Sequence, residues 1–214
     1  MIPDSFIDQY YELLTGKYKG INLTRITDKS EFLIKQINDS LLPADECKVF
    51  DAQVRSKKIL VDIGFGGGFP ILPLAAYYPE TQFLGFEARR KKADVVQSIS
   101  DELGLKNVKL YHQRVENVLF DTSCVITFKA VSTIENCLKN LNIQSEDVMV
   151  YFYKGPQLHQ VEDLTGVLKK WDLISEKKVD LPGTEGRILL GFKIKNVPRG
   201  TFNKKELVKL SEFL

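Results

Sequence analysis

Cysteine and histidine are scarce in this sequence: three cysteines, Cys47, Cys124 and Cys137, and two histidines, His112 and His159, in 214 residues. The cysteines show no Cys-x-x-Cys spacing and neither histidine is near one in sequence, so there is no zinc ligand set and no disulfide framework, and no metal is expected. Long apolar runs are also missing. None approaches the roughly 20 residues that cross a bilayer, and the first residues, with Asp4 and Asp8, lack the basic start and apolar core of a signal peptide. A cytoplasmic protein with no membrane partner is expected. Nor is either charge in excess: Lys+Arg 30 against Asp+Glu 28 leaves a net charge of +2. Nucleic-acid binding would have to come from local clustering and not from bulk charge. What remains, 43% hydrophobic and 27% charged, is the composition of a globular protein able to bury a full core. Without repeats or low-complexity segments it reads as a single domain over residues 1–214, and as a monomer.

The stretch ILVDIGFGGGFP, residues 59–70, organises the rest. Ile59, Leu60, Val61 and Ile63 form a short, β-branched apolar run, interrupted by Asp62, that stops at Gly64, Gly66 and Gly68; this is a buried strand feeding a tight turn. A helix over residues 69–76 follows, and its first N–H groups need partners. The dinucleotide fingerprint G-x-G-x-x-G fails in both frames, because Phe69 or Ile71 stands where the last glycine belongs, and no Gly-Lys-Ser/Thr follows to make a P-loop. The remaining pattern, Asp-x-Gly-x-Gly-x-Gly, resembles the first motif of class I S-adenosylmethionine-dependent methyltransferases, whose cofactor carries no phosphate. A second strand over residues 81–86 ends in Glu87, about 20 residues beyond the turn, where α/β nucleotide folds place an acid on the ribose hydroxyls.

Residues 3–14 carry apolar side chains at helical spacing and close at Gly16. A second helix starts at Asp28, with Glu31 suggesting a capping box, and ends before Pro43. These two helices, residues 1–50, are expected to cap one edge of the main sheet. Over residues 57–195 strand and helix alternate: a helix over 89–103, strands at Val108–His112, 125–130 and 148–153, and a helix over 157–169. Trp171–Val179 and Arg187–Ile194 then suit an antiparallel hairpin around Pro182-Gly183. This implies an α/β fold, Rossmann-like, with a mostly parallel seven-stranded sheet and an N-terminal helical extension. A ligand should lie beyond the strands' carboxyl ends, beside Gly64 to Phe69, Glu87, Arg114 to Glu116, Lys129 and Lys154. Residues 196–214 form a basic tail.

Taken together, Asn22-Leu23-Thr24, Asp39-Ser40, VDIGFGGGFPILPLA, Arg114-Val115-Glu116, TFKAVS, Lys154-Gly155 and a tail with Pro198-Arg199-Gly200-Thr201 and Asn203-Lys204-Lys205 resemble, nearly end to end, the glucose-inhibited division protein B family. These are bacterial methyltransferases of the N7 atom of a guanine in 16S ribosomal RNA. The resemblance implies S-adenosyl-L-methionine as cofactor, with Gly64 and Phe69 against it, Glu87 at its ribose, and Val115 and Glu116 at its adenine. Asp62, Gly66 and Gly68 belong to the same motif. Lys129 stands where the family usually has arginine, which keeps the charge and loses the planar fork of donors. Lys35-Gln36 replaces the usual Arg-His, and Ile71 the glycine after the motif's proline.

Guanine N7 carries a free lone pair, so methyl transfer needs no general base, and positioning supplies the acceleration. No catalytic base is assigned, and Lys129 and Lys154 are expected to hold the target nucleotide or its phosphates. Lys154, Arg199, Lys204 and Lys205 are expected to contact RNA, in the form of 16S ribosomal RNA or the small-subunit particle. Two other readings use the same residues: a methyltransferase of another RNA, or of a protein or small molecule, the last two having no use for the tail, and a non-catalytic RNA-binding assembly factor, which needs no cofactor.

Overall fold

The structure, a computed structural model, describes residues 2–197 and 207–214. Its strands are β1 (Ile59–Ile63), β2 (Gln82–Glu87), β3 (Val108–His112), β4 (Val118–Phe120), β5 (Cys124–Lys129), β6 (Asn142–Ile143), β7 (Val148–Lys154), β8 (Trp171–Val179), β9 (Arg187–Ile194) and β10 (Val208–Lys209). Seven form one sheet in the order β3-β2-β1-β5-β7-β9-β8, parallel except that β9 runs against both neighbours. This is the sheet that the alternation of strand and helix predicts. Strand order reverses between β1 and β5, and at that point a crevice opens beyond the carboxyl ends.

The core divides by strand parity, because successive side chains point to opposite faces. Leu60, Phe83, Val125, Tyr151 and Leu189 join Tyr10, Phe32, Phe50, Ile71 and Val96 from the helices on one face. Val61, Leu84, Ile126, Val150 and Leu190 join Ile134, Leu158, Val167 and Leu210 on the other. Both faces are buried, which is why the central strands read as nearly continuous apolar runs.

Several expectations are corrected. The N-terminal helices do not cap an edge; Phe6, Tyr10, Phe32 and Ile37 belong to the first face's cluster and pack over the glycine turn. Asp28 caps its helix by accepting from the Glu31 N–H at 2.8 Å, but Glu31 turns to Lys35 instead of closing the box. The chain does not stop before Pro43: a helix at Asp39–Glu46 runs through it, since burial of Leu41, Leu42 and Ala44 outweighs the one hydrogen bond that proline removes. A further helix, Lys48–Lys57, leads into β1. The helix expected over 157–169 is two single turns, Leu158–Val161 and Thr165–Leu168, and Ile134–Lys139 is an additional helix. A small sheet in the order β10-β4-β6 covers the second face. The last residues therefore do not trail as a basic tail: Leu210 is buried, and the Phe213 ring meets Phe86 at 5.0 Å and Tyr111 at 4.8 Å. Arg199, Lys204 and Lys205 lie outside the described residues.

Candidate active site

β1 delivers the chain to the turn with Asp62 facing the N-terminal helices. Its carboxylate is fully buried and accepts from the Thr127 hydroxyl on β5 at 2.7 Å, while Oδ2 has no hydrogen-bond partner. Burial pushes its pKa up to about 7, against the opposing pull of Thr127 and Lys129. The turn follows with positive φ at Gly64, Gly66 and Gly68. Its rear is fastened by the N-terminal extension: the Tyr10 hydroxyl donates to the Gly67 carbonyl at 2.6 Å, and the Tyr10 ring stacks on Phe69 at 5.0 Å. Burial holds the Tyr10 phenol well above the usual tyrosine range, so it stays a neutral donor.

The front of the turn opens on a cavity of about 470 Å³. Glu87, at the end of β2, accepts from the Gly66 N–H at 3.2 Å and the Arg89 N–H at 3.0 Å. Gly64, Gly66, Glu87, Val115 and Glu116 line this cavity together, so five of the expected cofactor residues are brought to one place. Asp62, Gly68 and Phe69 stand behind the turn and line neither this cavity nor the next. Two of the three cysteines, Cys124 and Cys137, have thiols pushed up by burial and are not reactive groups.

A second cavity of about 310 Å³ shares Phe128, Ala130, Val131 and Ser132 with the first. Val131 stands on the shared wall, one methyl 3.0 Å from where a Cβ on Gly64 would lie. Lys129 lines this second cavity and not the first. Its ammonium lies 3.0 Å from Asp39 Oδ2, and Arg187 Nε lies 2.7 Å from Asp39 Oδ1. Asp39 is 1% exposed, and both contacts are ion pairs whose angles fall short of hydrogen bonds. Lys154 is engaged as well, to Glu162 at 2.6 Å and to the Ser132 carbonyl at 2.7 Å, and Glu162 also accepts from the Ile134 N–H. Lys154 thus ties the shared wall to β7.

Sequence reading missed Asp39 and Arg187 as site residues. A signal for Asp39 was available, since Asp39-Ser40 is among the short motifs that carry the family resemblance. Arg187 was hidden by direction. It begins β9, the reversed strand, and the Lys154–Ile188 pairing brings that first residue to the edge where the parallel strands end.

Comparison with known proteins agrees with this architecture. Among solved structures, a SAM dependent methyltransferase from Aquifex aeolicus superposes with TM-score 0.53 at 15% identity, covering 83% of this chain and 97% of that one. The mitomycin 7-O-methyltransferase MmcR gives 0.59 at 12% identity, over 86% of this chain and 60% of that one. At such identity the likeness concerns the fold alone. Sequence relatives are more specific. The ribosomal RNA small subunit methyltransferase G of Lactococcus lactis subsp. cremoris (strain MG1363) is 30% identical over 204 residues, 90% of this chain and 83% of that protein. The protein of the same name from Streptococcus thermophilus (strain CNRZ 1066) is 34% identical over 151 residues, 70% of this chain and 61% of its own length. The family model GidB, rRNA small subunit methyltransferase G, matches residues 4–186. With the turn, the acid at the end of β2 and the sheet order all in place, this chain belongs to the GidB family.

Proposed function

We propose that the protein transfers a methyl group from S-adenosylmethionine to N7 of a guanine in small-subunit ribosomal RNA. One observation carries this reading: two cavities meet at a single wall, residues 128 and 130–132, beyond the carboxyl ends of the strands. The first fits the cofactor. Glu87 offers carboxylate oxygens to ribose hydroxyls, Gly66 leaves open the space a Cβ would take, and Val115 gives an apolar side to an adenine. When bound, the cofactor supplies an electrophilic methyl on a sulfonium.

The second cavity suits a neutral base. Each of its four cations already has a carboxylate partner: Lys35 has Glu31, Lys129 and Arg187 share Asp39, and Lys154 has Glu162. Lys129 and Arg187 share one carboxylate and keep further N–H donors, so a guanine can accept from either at its carbonyl oxygen while the pairs stay together. Lys129 and Arg187 then orient the ring, and Lys154 keeps the shared wall in position. No residue has to remove a proton, since N7 is unprotonated at neutral pH, and alignment across the wall supplies the rate. Phosphate contacts fall to other basic residues, Arg199, Lys204 and Lys205 among them, and the setting is cytoplasmic, on rRNA or the small-subunit particle.

Incubating the protein with 16S rRNA or small subunits and labelled S-adenosylmethionine should yield N7-methylguanosine at one site. Label appearing only on another atom or another base would sink the assignment. Glu87→Ala should weaken S-adenosylmethionine binding in calorimetry by roughly 10- to 150-fold, since a hydrogen bond to a charged group is worth about 1.5–3 kcal/mol. An unchanged dissociation constant would remove Glu87 from the cofactor site.

A further inference from the structure

The first cavity has a border that its cofactor does not require. Arg89, Lys92 and Arg114 line it, and Arg90 and Lys91 stand next to them, all exposed except the half-buried Lys92. Among the described residues none of these five stands in an ion pair. That is the reverse of the second cavity, where every cation is paired. Three of them, Arg90, Lys91 and Lys92, also work against their own helix. Arg90–Glu102 has three cations and no acid in its first turn, and it ends on Asp101 and Glu102 without a base in its last, the opposite of what the helix dipole favours. The charge is therefore not there for the helix, and S-adenosylmethionine, with no phosphate and a single carboxylate, cannot occupy five cations.

We infer that this border is the surface on which the rRNA phosphodiester backbone lies as the target base enters the second cavity. The inference rests on the function proposed above. Arg89 and Lys92 approach the cavity from the β2 side, and Arg114 from the loop after β3, so a strand touching all three crosses the cavity mouth. Because the two cavities share a wall, such a strand can cover the cofactor while its base is held next door. The cofactor then binds before the RNA, and the spent cofactor leaves after it.

The test compares the parent with the triple variant Arg89→Gln, Lys92→Gln, Arg114→Gln, using a 16S rRNA transcript without cofactor at several salt concentrations. Each lost phosphate contact lowers the slope of log affinity against log salt by roughly 0.7–0.9, so the variant's slope should fall by about two to three, with S-adenosylmethionine affinity kept within about threefold. In the parent, saturating transcript should also slow the release of labelled S-adenosylhomocysteine. An unchanged slope, a loss of cofactor affinity without a change in slope, or release indifferent to RNA would each overturn the assignment. Methyl transfer by the parent is scored separately: transfer with an unchanged variant slope removes the surface and leaves the reaction, while RNA binding with the altered slope but no transfer supports the surface and removes the reaction.

Discussion

Gly68→Ala should lower the unfolding free energy by about 2–5 kcal/mol, combining ~1–2 for an L-residue at positive φ with ~1–3 for overpacking. The backbone at Gly68 has φ +93, and a Cβ there would lie 2.5 Å from the Tyr10 hydroxyl oxygen and 2.9 Å from a Leu72 methyl. Tyr10 cannot swing aside, since its ring is held between Phe69 and Phe32 and its hydroxyl is bonded to Gly67. Gly66 is a different case. Its φ is +55, and the nearest atom to an added Cβ is the Gly64 carbonyl oxygen at 3.8 Å. Gly66→Ala should therefore cost only the backbone part, about 1–2 kcal/mol, while filling the cavity and weakening cofactor binding. Urea unfolding together with calorimetry separates the two. Equal stability losses, or the larger loss at Gly66, would contradict this division of the motif into a packing glycine and a ligand-facing one.

The second large effect is a pH dependence centred on Asp62. An acid raised from 3.8 to about 7 in the fold keeps its proton in the native state while the unfolded chain releases it. Stability is then greatest below pH ~4, declines as pH rises to ~7 and is level above that, a total on the order of 4 kcal/mol at 1.36 kcal/mol per unit. Asp62→Asn has no proton to lose. The parent-minus-variant difference in unfolding free energy should therefore shift by that amount between pH 4 and pH 8, whatever the asparagine itself costs in packing. The variant should be favoured at the alkaline end. A difference that stays constant over this range would mean that Asp62 is ionised in the fold throughout.

Much of the fold could be read from the chain, for identifiable reasons. The central strands are buried on both faces and so appear as apolar runs, and the turn after β1 carries its glycines where positive φ is needed. Elements that depend on long-range contacts were less legible. Helix Lys48–Lys57 buries only Phe50 and Val54, too few for a visible periodicity, and β4, β6 and β10 are two or three residues long. Pro43 suggested a stop because a local rule was applied where burial decides. At the site, much of the first cavity's lining could be read because it follows chain order at the ends of parallel strands. The second cavity was legible only in part: Lys129 and Lys154 line it from strand ends, but Asp39 comes from a helix above the sheet and Arg187 from the start of a reversed strand. The Lys154–Glu162 pair was hidden as well, because it joins β7 to a loop eight residues further on.

The contact between Tyr10 and the glycine turn also sets a timetable for synthesis. Tyr10 leaves the ribosome roughly 60 residues ahead of Phe69, an interval of about 3–12 seconds at 5–20 residues per second. Throughout it, the apolar stripe of Ile2, Phe6 and Tyr10 has no glycine turn and no residues 69–75 to pack against. A helix of nine residues is too short to hold its shape alone in water. The nascent N-terminus therefore waits as exposed apolar chain, the state that chaperones bind, and the turn gains its rear support only when β1 and the following helix come out beside it.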